Sequence, residues 1–259
     1  MKITNNTGLP EVIARAVQND PYTVRTDYTV TGLLKPPRIA VLTKKHWDAI
    51  EEDVSERVWA LFGQAVHAVI ERASGKVGGI LSEMRYKVNI EGRSVSGQAD
   101  MIDIDAGKVA DFKVTKSWGI AYKSRLDDWR KQLNMLAFLI EHGEPMLEEG
   151  QPAPPPVKIK TASIIAIARD WGEKDAGLYK AKEYPQAPIV EIPIPLWCPD
   201  DQERCILDLM EAHERAKHTL PDCTEEERWW DPKKKEGRRC KGFCSVAKFC
   251  TQFNPLARD

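Results

Sequence analysis

The sequence predicts an α/β fold in which helices flank a central mixed sheet. Three observations predict it: a helical apolar pattern over residues 55–73, three strand-like runs joined by short turns over residues 80–114, and a second helical pattern followed by an apolar strand. This order of helix, strands, helix and strand is typical of a mixed α/β core. With 259 residues, 42% of them hydrophobic, the chain is long enough to bury a substantial core.

The elements of this core are predicted in order from local patterns. The first helix ends where glycines at positions 75, 78 and 79 follow the apolar pattern. Alternating residues then predict an antiparallel meander, because its runs are joined by short glycine-containing turns. The meander consists of strands at 80–90, 93–104 and 108–114. It is followed by a helix at 127–142, a proline-rich connector at 151–156, a strand at 157–171 and a helix at 200–218.

Composition divides the chain into three predicted parts. Residues 1–54 form an N-terminal helical or irregular segment that packs on the core, and residues 55–220 form the core itself. After Pro221 the sequence becomes charged, aromatic and rich in cysteine, which predicts a metal-binding or cluster-binding extension over residues 221–259.

Charge and hydropathy exclude several classes of protein. The formal net charge is −1, which argues against a protein that merely coats nucleic acid, although basic residues cluster at 44–45, 123–131 and 233–239. The sequence contains no long uncharged apolar run, so no membrane span is predicted. The first twenty residues lack the apolar stretch of a secretory signal, so a cytoplasmic location is expected.

Two acidic residues and a lysine form the candidate chemical centre. Asp100 is expected early in its strand, and Asp111 and Lys113 late in the next one. Because the two strands form a predicted hairpin, we expect Asp100 to lie beside Asp111. Asp111 and Lys113 are two residues apart, so their side chains point to the same face of the strand.

This group suits the hydrolysis of a phosphodiester bond. Carboxylates bind hard cations such as Mg²⁺ or Mn²⁺ through oxygen. Such a metal polarises a phosphoryl oxygen and lowers the pKa of the attacking water, and a nearby lysine stabilises developing negative charge. The D-x-K spacing alone is a weak signal, since exposed strands often carry charged residues at alternate positions.

Five segments occur in an order that makes the combined signal strong. They are GQAVHAVIE at 63–71, SE at 82–83, GQADMID at 97–103, VADFKVTK at 109–116 and KQLNMLAF at 131–138. Together they resemble the RecB-type nucleases of the PD-(D/E)XK superfamily, a group that includes CRISPR adaptation nucleases and phage exonucleases. The resemblance implies a restriction-endonuclease-like core, a central mixed sheet flanked by helices.

The resemblance also implies roles for individual residues. The metal ligands would be His67, Asp100, Asp111 and the carbonyl oxygen of Phe112. Lys113 would be the catalytic lysine, and Gln132 would position the substrate or that lysine. Glu83 is either an exposed strand residue or a supporting carboxylate of the same site.

The functional hypothesis is a metal-dependent DNA nuclease, closest to phage-encoded exonucleases that process DNA ends. DNA is the expected substrate, recombination or replication proteins are expected partners, and the host cytoplasm is the expected location of a phage-encoded chain. A homo-oligomeric ring would suit a processive enzyme. The alternative is a catalytically inactive DNA-binding accessory module with a structural metal cluster, against which the intact Asp–Asp–Lys set argues.

All six cysteines follow residue 197, and four of them form a candidate metal site. Cys240, Cys244 and Cys250 are closely spaced, and Cys223 precedes them. In a reducing compartment such a group indicates metal rather than disulfides, and four thiolates bind either Zn²⁺ or a 4Fe–4S cluster. The spacing resembles the C-terminal triad of iron–sulfur members of this nuclease family, which implies the cluster. Those members usually take a ligand from the N-terminal region, where this chain has no cysteine.

The segment between Cys223 and Cys240 allows two interpretations. It contains Trp229, Trp230 and the basic run KKKEGRR. Aromatic and basic residues together can stack bases and hold phosphate, or they can cover the metal site. The sequence leaves both interpretations open.

Overall fold

The computed structural model describes residues 1–18 and 26–257, and the chain divides into two compact units. The sheet unit comprises Arg25–Leu34 and Gly63–Leu207. The terminal unit comprises Met1–Val24, Lys35–Phe62 and Asp208–Asp259. The domain boundaries that the sequence predicts, after residues 54 and 220, stay a prediction.

The chain contains both helices and strands, and three long strands follow one another directly in its middle. In chain order they are β1 (Lys2–Thr4), α1 (Glu11–Gln18), β2 (Tyr28–Thr29), α2 (Val30–Leu33), α3 (Pro37–Lys45), β3 (Glu51–Asp53), α4 (Val58–Ser74), β4 (Ile80–Ile90), β5 (Arg93–Asp103), β6 (Lys108–Thr115), α5 (Ser117–Ala121), α6 (Leu126–His142), β7 (Glu144–Pro145), β8 (Thr161–Ala168), α7 (Glu173–Leu178), β9 (Ile189–Ile194), α8 (Pro199–His218), β10 (Trp230–Asp231), β11 (Glu236–Gly237) and α9 (Arg238–Gly242). Short 3₁₀ turns lie at Trp47–Ala49, Val54–Arg57, Lys180–Lys182 and Ala247–Phe249.

The sheet unit is built on one seven-stranded mixed sheet. Its strands run in the order β7-β4-β5-β6-β8-β9, with β2 pairing in parallel with β5. The meander β4, β5 and β6 is antiparallel, β6 and β8 are parallel, and β8 and β9 are antiparallel. Because a parallel pair needs a crossover, α5 and α6 lie between β6 and β8 in the chain. The predicted α/β class, with a central mixed sheet flanked by helices, is confirmed.

The element predictions are confirmed apart from two details of the strands. The buried strand predicted over 157–171 is shorter, Thr161–Ala168. Asp100 lies in the last third of β5 rather than early in it, and Asp111 lies in the first half of β6 rather than late. The two aspartates are nevertheless neighbours, because both lie closer to the turn that joins β5 and β6 than predicted, and by a similar distance.

Helix α6 packs across the sheet and supplies much of the core. Its first turn contains Asp127 and Asp128, whose negative charges suit the positive end of the helix dipole. Nine of its seventeen residues are buried. One of them, Asn134, is polar, and its amide donates to the carbonyls of Arg130 and Pro195 and accepts from the amide of Trp197. The helix is therefore fixed against the chain that follows β9.

Gly97 is where α6 and α2 approach β5 most closely. A Cβ atom at this position would lie 2.6 Å from Cδ2 of Leu136 and 2.8 Å from Cγ2 of Val30. Both distances are shorter than carbon atoms tolerate, so glycine is required for the packing that places α6 over the sheet.

We expect Gly97→Ala to destabilise the protein by about 1–3 kcal/mol, because the added methyl forces the packed side chains apart. The matched control is Gly63→Ala, which lies within α4 with nothing near its Cβ position. That control is expected to be neutral or stabilising by up to about 1 kcal/mol, because alanine favours the helix. Thermal unfolding followed by circular dichroism measures both, and equal melting temperatures for the two variants would contradict the packing argument.

The terminal unit has two small cores. Ala14, Val17 and Val54 form one, with Ile3, Leu9 and Leu61 packed against it. The other contains Leu42, Ile50, Val246 and Cys250. Strands β1 and β3 pair in parallel within this unit. The second core joins the N-terminal part of the unit to the cysteine-rich segment.

The helices of the described residues give no candidate for a membrane span, since each is too short or too polar for one. The cytoplasmic location stays a prediction.

Candidate functional site

The candidate metal centre lies where β5 and β6 separate. Their ladder runs from Asp103↔Lys108 to Met101↔Ala110 and stops one residue before Asp100 and Asp111 would pair. Beyond that point, Oδ2 of Asp100 accepts a hydrogen bond of 2.7 Å from the backbone amide of Phe112. The Asp100 carboxylate thus takes the place of the missing strand partner.

Three carboxylates lie in one row across the sheet. If the register of β4 and β5 is continued across its interruption, Glu83 lies opposite Asp100. If the register of β5 and β6 is continued by one residue, Asp100 lies opposite Asp111. Residues opposite each other on adjacent strands project from the same face. The expectation that Asp100 lies beside Asp111 is therefore met by the register, and Glu83 joins them.

Glu83 has an unusual backbone conformation at the site. Its φ angle is 53°, in the left-handed region, and the β4–β5 ladder is interrupted at this residue while the register on either side is unchanged. A non-glycine residue in this region costs on the order of 1–3 kcal/mol and is found preferentially at functional sites. The conformation sets the direction of the carboxylate without displacing the strand.

His67 completes a group that could hold a cation. It comes from α4, and its Nδ1 lies 3.4 Å from Oε1 of Glu83 and 3.6 Å from Oδ2 of Asp100. One ligand atom from each of these three residues lies within 4.8 Å of the other two. An imidazole with carboxylate oxygens is a donor set suited to Mn²⁺ or Mg²⁺.

The electrostatics of the site favour added positive charge. Burial, and then the nearby Asp111, raise the pKa of Asp100 to about 7. The hydrogen bond with Glu83 raises the pKa of His67, and the charges of Asp100 and Asp111 add to this. Carboxylates crowded in a partly buried site repel one another, and a divalent cation would offset that repulsion.

Asp111 is held by residues from two elements. It is 1% exposed, and its Oδ1 accepts a hydrogen bond of 2.7 Å from Nε2 of Gln132 on α6. Among the described residues, its buried Oδ2 has no well-directed hydrogen-bond donor, although Nζ of Lys113 lies 2.5 Å away. Lys113 projects from the same face of β6, as its spacing predicts. Asp111 therefore has one oxygen fixed by Gln132, and its other oxygen is buried beside the ammonium of Lys113.

Gln98 and Arg85 support Glu83 from the sheet surface. Nε2 of Gln98 donates to Oε2 of Glu83 at 2.6 Å, and Nη2 of Arg85 donates to Oε1 of Gln98 at 2.6 Å. These two residues are not among those predicted from the sequence. The available signal is the alternation of β4 and β5, which places residues 83 and 85, and 98 and 100, on the same face.

The structure places the predicted side chains in two adjoining sets. His67 and Asp100 lie together with Glu83, and Asp111 contacts Lys113 and Gln132. The charges of Asp100 and Asp111 interact, but among the described residues Asp111 is not part of the group of His67, Glu83 and Asp100 that could hold a cation. Phe112 contributes its backbone amide to Asp100 and its ring edge to His67, with the ring centroids 6.3 Å apart. The role of its carbonyl oxygen as a metal ligand stays a prediction.

The second candidate site is a cavity in the terminal unit. All four predicted cysteines, Cys223, Cys240, Cys244 and Cys250, line it. Burial and then the charges of Glu227 and the other cysteines raise the pKa of Cys223 to about 12, and burial also raises the pKa of Cys244. Four thiols facing one partly buried cavity form a set that a cationic centre would stabilise as thiolates.

The sulfurs of the four cysteines are not gathered into a close group. A Zn²⁺ ion with bonds of about 2.3 Å holds its tetrahedral sulfurs about 3.8 Å apart. Within residues 1–18 and 26–257, no three of these cysteine sulfurs lie within 4.8 Å of one another. A 4Fe–4S cluster is larger than a single ion, and both the cluster and Zn²⁺ stay predictions for these four cysteines.

Two residues distant in sequence hold the cysteine segment. Arg38 on α3 is 3% exposed; its Nε donates to Sγ of Cys250 at 3.1 Å, and its Nη2 donates to Thr251 at 2.7 Å. Gln252 makes two hydrogen bonds with the backbone of Cys223, one of 2.9 Å and one of 2.8 Å. Neither residue carries a sequence signal, because its partner is identified only by the fold.

Comparison with known proteins supports the fold and goes no further. No protein-family model matches the sequence, and no curated protein matches it. Several solved structures are similar, among them the crystal structure of SSO0001, with a TM-score of 0.56, 16% identity, and coverage of 92% of this chain and 94% of that one. At this identity the similarity shows a shared fold, and the class so defined is an α/β protein with a central mixed sheet and a polar group of His, Glu and Asp side chains on it.

Proposed function

We propose that this chain is a metal-dependent DNA nuclease with a PD-(D/E)XK-type core, which hydrolyses phosphodiester bonds at DNA ends. The observation that carries the proposal is the position of Asp111. It lies beside Asp100, within 2.5 Å of the Lys113 ammonium and within hydrogen-bonding distance of Gln132. The sequence resemblance to RecB-type and phage-encoded exonucleases supports the choice of DNA as substrate.

Each side chain has a defined part in such a reaction. A divalent cation held by His67, Asp100 and Asp111 would supply a polarised phosphoryl oxygen and a water of lowered pKa. Gln132 keeps Oδ1 of Asp111 in place, so that Oδ2 is presented to the site. Lys113 is partly exposed beside that oxygen, where its ammonium can contact a phosphate and stabilise the charge that develops there.

Glu83 has the position of a further carboxylate in this set. It is within reach of His67 and faces Asp100, and Gln98 fixes its second oxygen. The proposed role of Glu83 is to hold His67 in orientation and to add negative charge at the cation.

A 4Fe–4S cluster bound by the four cavity cysteines is the second part of the proposal. The four cysteines that line one cavity and the Arg38 donor to Cys250 support it. Its role would be structural, because the binding energy of a metal centre becomes folding energy for the segment it connects.

The proposed activity is tested with end-labelled linear DNA and circular DNA, in the presence of Mg²⁺, Mn²⁺ or EDTA. Metal-dependent loss of the linear substrate alone would establish an exonuclease, and loss of both would establish a nuclease that cuts internally. DNA binding without cleavage under every metal would instead favour the inactive accessory module.

We expect Gln98→Leu to weaken activation by Mn²⁺ about 10- to 100-fold, which is typical when a residue supporting a metal ligand is removed. The Glu83 carboxylate loses its donor in this variant, while the ligands themselves remain. A titration of cleavage rate against Mn²⁺ concentration measures the effect. Gln151→Leu removes an exposed glutamine from a loop and serves as the control. An unchanged Mn²⁺ midpoint for Gln98→Leu would show that Gln98 has no part in the site.

A further inference from the structure

The hairpin formed by β10 and β11 presents three consecutive lysines in a defined turn. Trp230 pairs with Gly237 and Asp231 with Glu236, and residues 232–235 connect them. Oδ1 of Asp231 accepts hydrogen bonds from the backbone amides of Lys233 and Lys234, at 3.0 and 3.3 Å. Lys235 has a left-handed φ of 51°, as turn residues often do. The lysines are thus carried by a hydrogen-bonded turn.

Positive charge is concentrated in and around this turn. Residues 232–241 contain six basic residues and one acidic residue, a formal charge of +5, whereas the whole chain carries −1. Lys241 is paired with Glu236. Lys233, Lys234, Lys235 and Arg238 are exposed, and in the part of the chain that the structure describes none of them has an acidic partner within 4.0 Å.

The other basic and aromatic residues of the segment have internal roles. The Arg239 guanidinium lies 4.8 Å from the centre of the Trp229 ring and donates to the carbonyl of Glu227. Arg228 lies 5.0 Å from the centre of the Trp230 ring. Arg228 and Arg239 also line the cysteine cavity. Arg228 and Arg239 are therefore part of the cavity wall, whereas Lys233, Lys234 and Lys235 do not line the cavity.

An exposed aromatic ring lies at the base of the same hairpin. Phe243 is 73% exposed, and its ring centroid is 5.4 Å from that of Trp229. A phenyl ring that is held on one side and open on the other can stack on a nucleobase. The two interpretations left open by the sequence therefore apply to different residues. Arg228, Arg239 and the tryptophans are half-buried and contact one another, and the lysines and Phe243 are exposed.

We propose that Lys233, Lys234, Lys235 and Arg238 bind the phosphate backbone of a DNA strand, and that Phe243 stacks on one of its bases. The identity of the polyanion rests on the proposed nuclease function. A nearly neutral chain gains affinity for DNA only from local charge, and adjacent lysines in a fixed turn provide it. The exposed ring favours a nucleic acid over an acidic protein segment, because every base offers a face for stacking.

The test compares variants of the full chain in binding labelled single-stranded and duplex DNA, measured by fluorescence anisotropy in EDTA over a range of salt concentrations. The triple variant Lys233→Gln, Lys234→Gln, Lys235→Gln is expected to bind both forms about tenfold more weakly at low salt, and its salt slope to fall by about 2–3. The matched control removes the same three charges from exposed positions elsewhere, Lys76→Gln, Lys158→Gln and Lys174→Gln.

The control triple variant is expected to bind within about twofold of the parent protein, since its lysines are not consecutive residues of one turn. Phe243→Ala is expected to weaken single-stranded binding about fivefold with an unchanged salt slope, and to leave duplex binding within about twofold. Equal losses in the two triple variants would overturn the phosphate contacts. Unchanged single-stranded binding by Phe243→Ala would overturn the stacking.

The binding assay separates this inference from the proposed function. Loss of binding in the hairpin triple variant, in a protein that cuts no DNA under any metal, would support the hairpin and contradict the nuclease. Normal cleavage by the parent protein together with parent-like binding by the hairpin variants would contradict the hairpin alone. Unaltered circular dichroism spectra of the variants show that the compared proteins are folded.

Discussion

The Asp111→Asn variant is expected to lose DNA cleavage by about 10³-fold or more, because one neutral amide replaces the central anion of the site. Asparagine has the shape of aspartate, and its oxygen can still accept the hydrogen bond from Gln132. The fold should therefore be kept.

Metal binding gives a second measurement on the same variant. Saturation with Mn²⁺ at about 100 times its dissociation constant should stabilise the parent protein by about 2.7 kcal/mol. The Asp111→Asn variant should show a smaller shift in melting temperature at the same concentration. The control is Asp103→Asn, on the same hairpin, where the carboxylate accepts a hydrogen bond from Ala106. Cleavage by this control should stay within about twofold of the parent.

Retained cleavage by a clean preparation of Asp111→Asn would contradict the nuclease site proposed here. Loss of cleavage in both variants would mean that the hairpin is sensitive to any substitution, and a spectrum of each variant would show it. Loss in Asp111→Asn alone assigns the activity to the carboxylate.

The elements around this site could be predicted because their signals are local. Alternation over β4, β5 and β6 and the short turns between them predict the meander, and the same patterns put Asp111 and Lys113 on one face. The position of Asp100 within its strand was predicted wrongly, yet its proximity to Asp111 was not affected. In a hairpin, proximity depends on the distance of each residue from the turn, which the sequence shows directly.

The features of the site that could not be predicted depend on tertiary structure. Nothing in the sequence near Glu83 indicates a left-handed residue in the middle of a strand. The hydrogen bond from Gln98 to Glu83 requires the register of β4 and β5 to be known to one residue. Helix α4 carries His67 at a spacing that suits a packed core residue as well as a ligand, and only the contact with Glu83 separates the two.

The cysteine cavity also has some features that the sequence predicts and others that depend on tertiary structure. The spacing of Cys240, Cys244 and Cys250 predicts a shared site, and Cys223 is the most closely preceding candidate for a fourth ligand. The residue that donates to Cys250 is Arg38, 212 positions earlier, and no pattern in the sequence connects them. Contacts between residues so far apart in the sequence are created by the packing of the second core of the terminal unit.

The Cys240→Ser variant is expected to lose the metal centre and to melt at a temperature lower by about 10 °C or more. Cys240 lines the cavity with the other three cysteines, and serine does not replace a thiolate ligand. The free energy of binding a structural metal is part of the folding free energy of the segment that it connects. A loss of about 4 kcal/mol corresponds to a shift of this size in a chain of this length.

Metal content identifies the centre directly. Protein purified without oxygen should contain iron and show broad absorbance near roughly 400 nm, and Cys240→Ser should lack both. Cys198→Ser is the matched control, because Cys198 is exposed and lies outside the cavity. That control should keep its iron and its melting temperature.

The alternative outcomes have distinct meanings. Zinc without iron would show that the four cysteines bind a metal and that the cluster assignment is wrong, which would require the sulfurs to move closer together than they are here. Parent protein without either metal, and with four reactive thiols, would contradict the metal centre as a whole. Because Arg38 donates to Cys250 and Gln252 holds Cys223 through protein contacts alone, the cavity could then persist without metal, and Cys240→Ser would melt at the temperature of the parent.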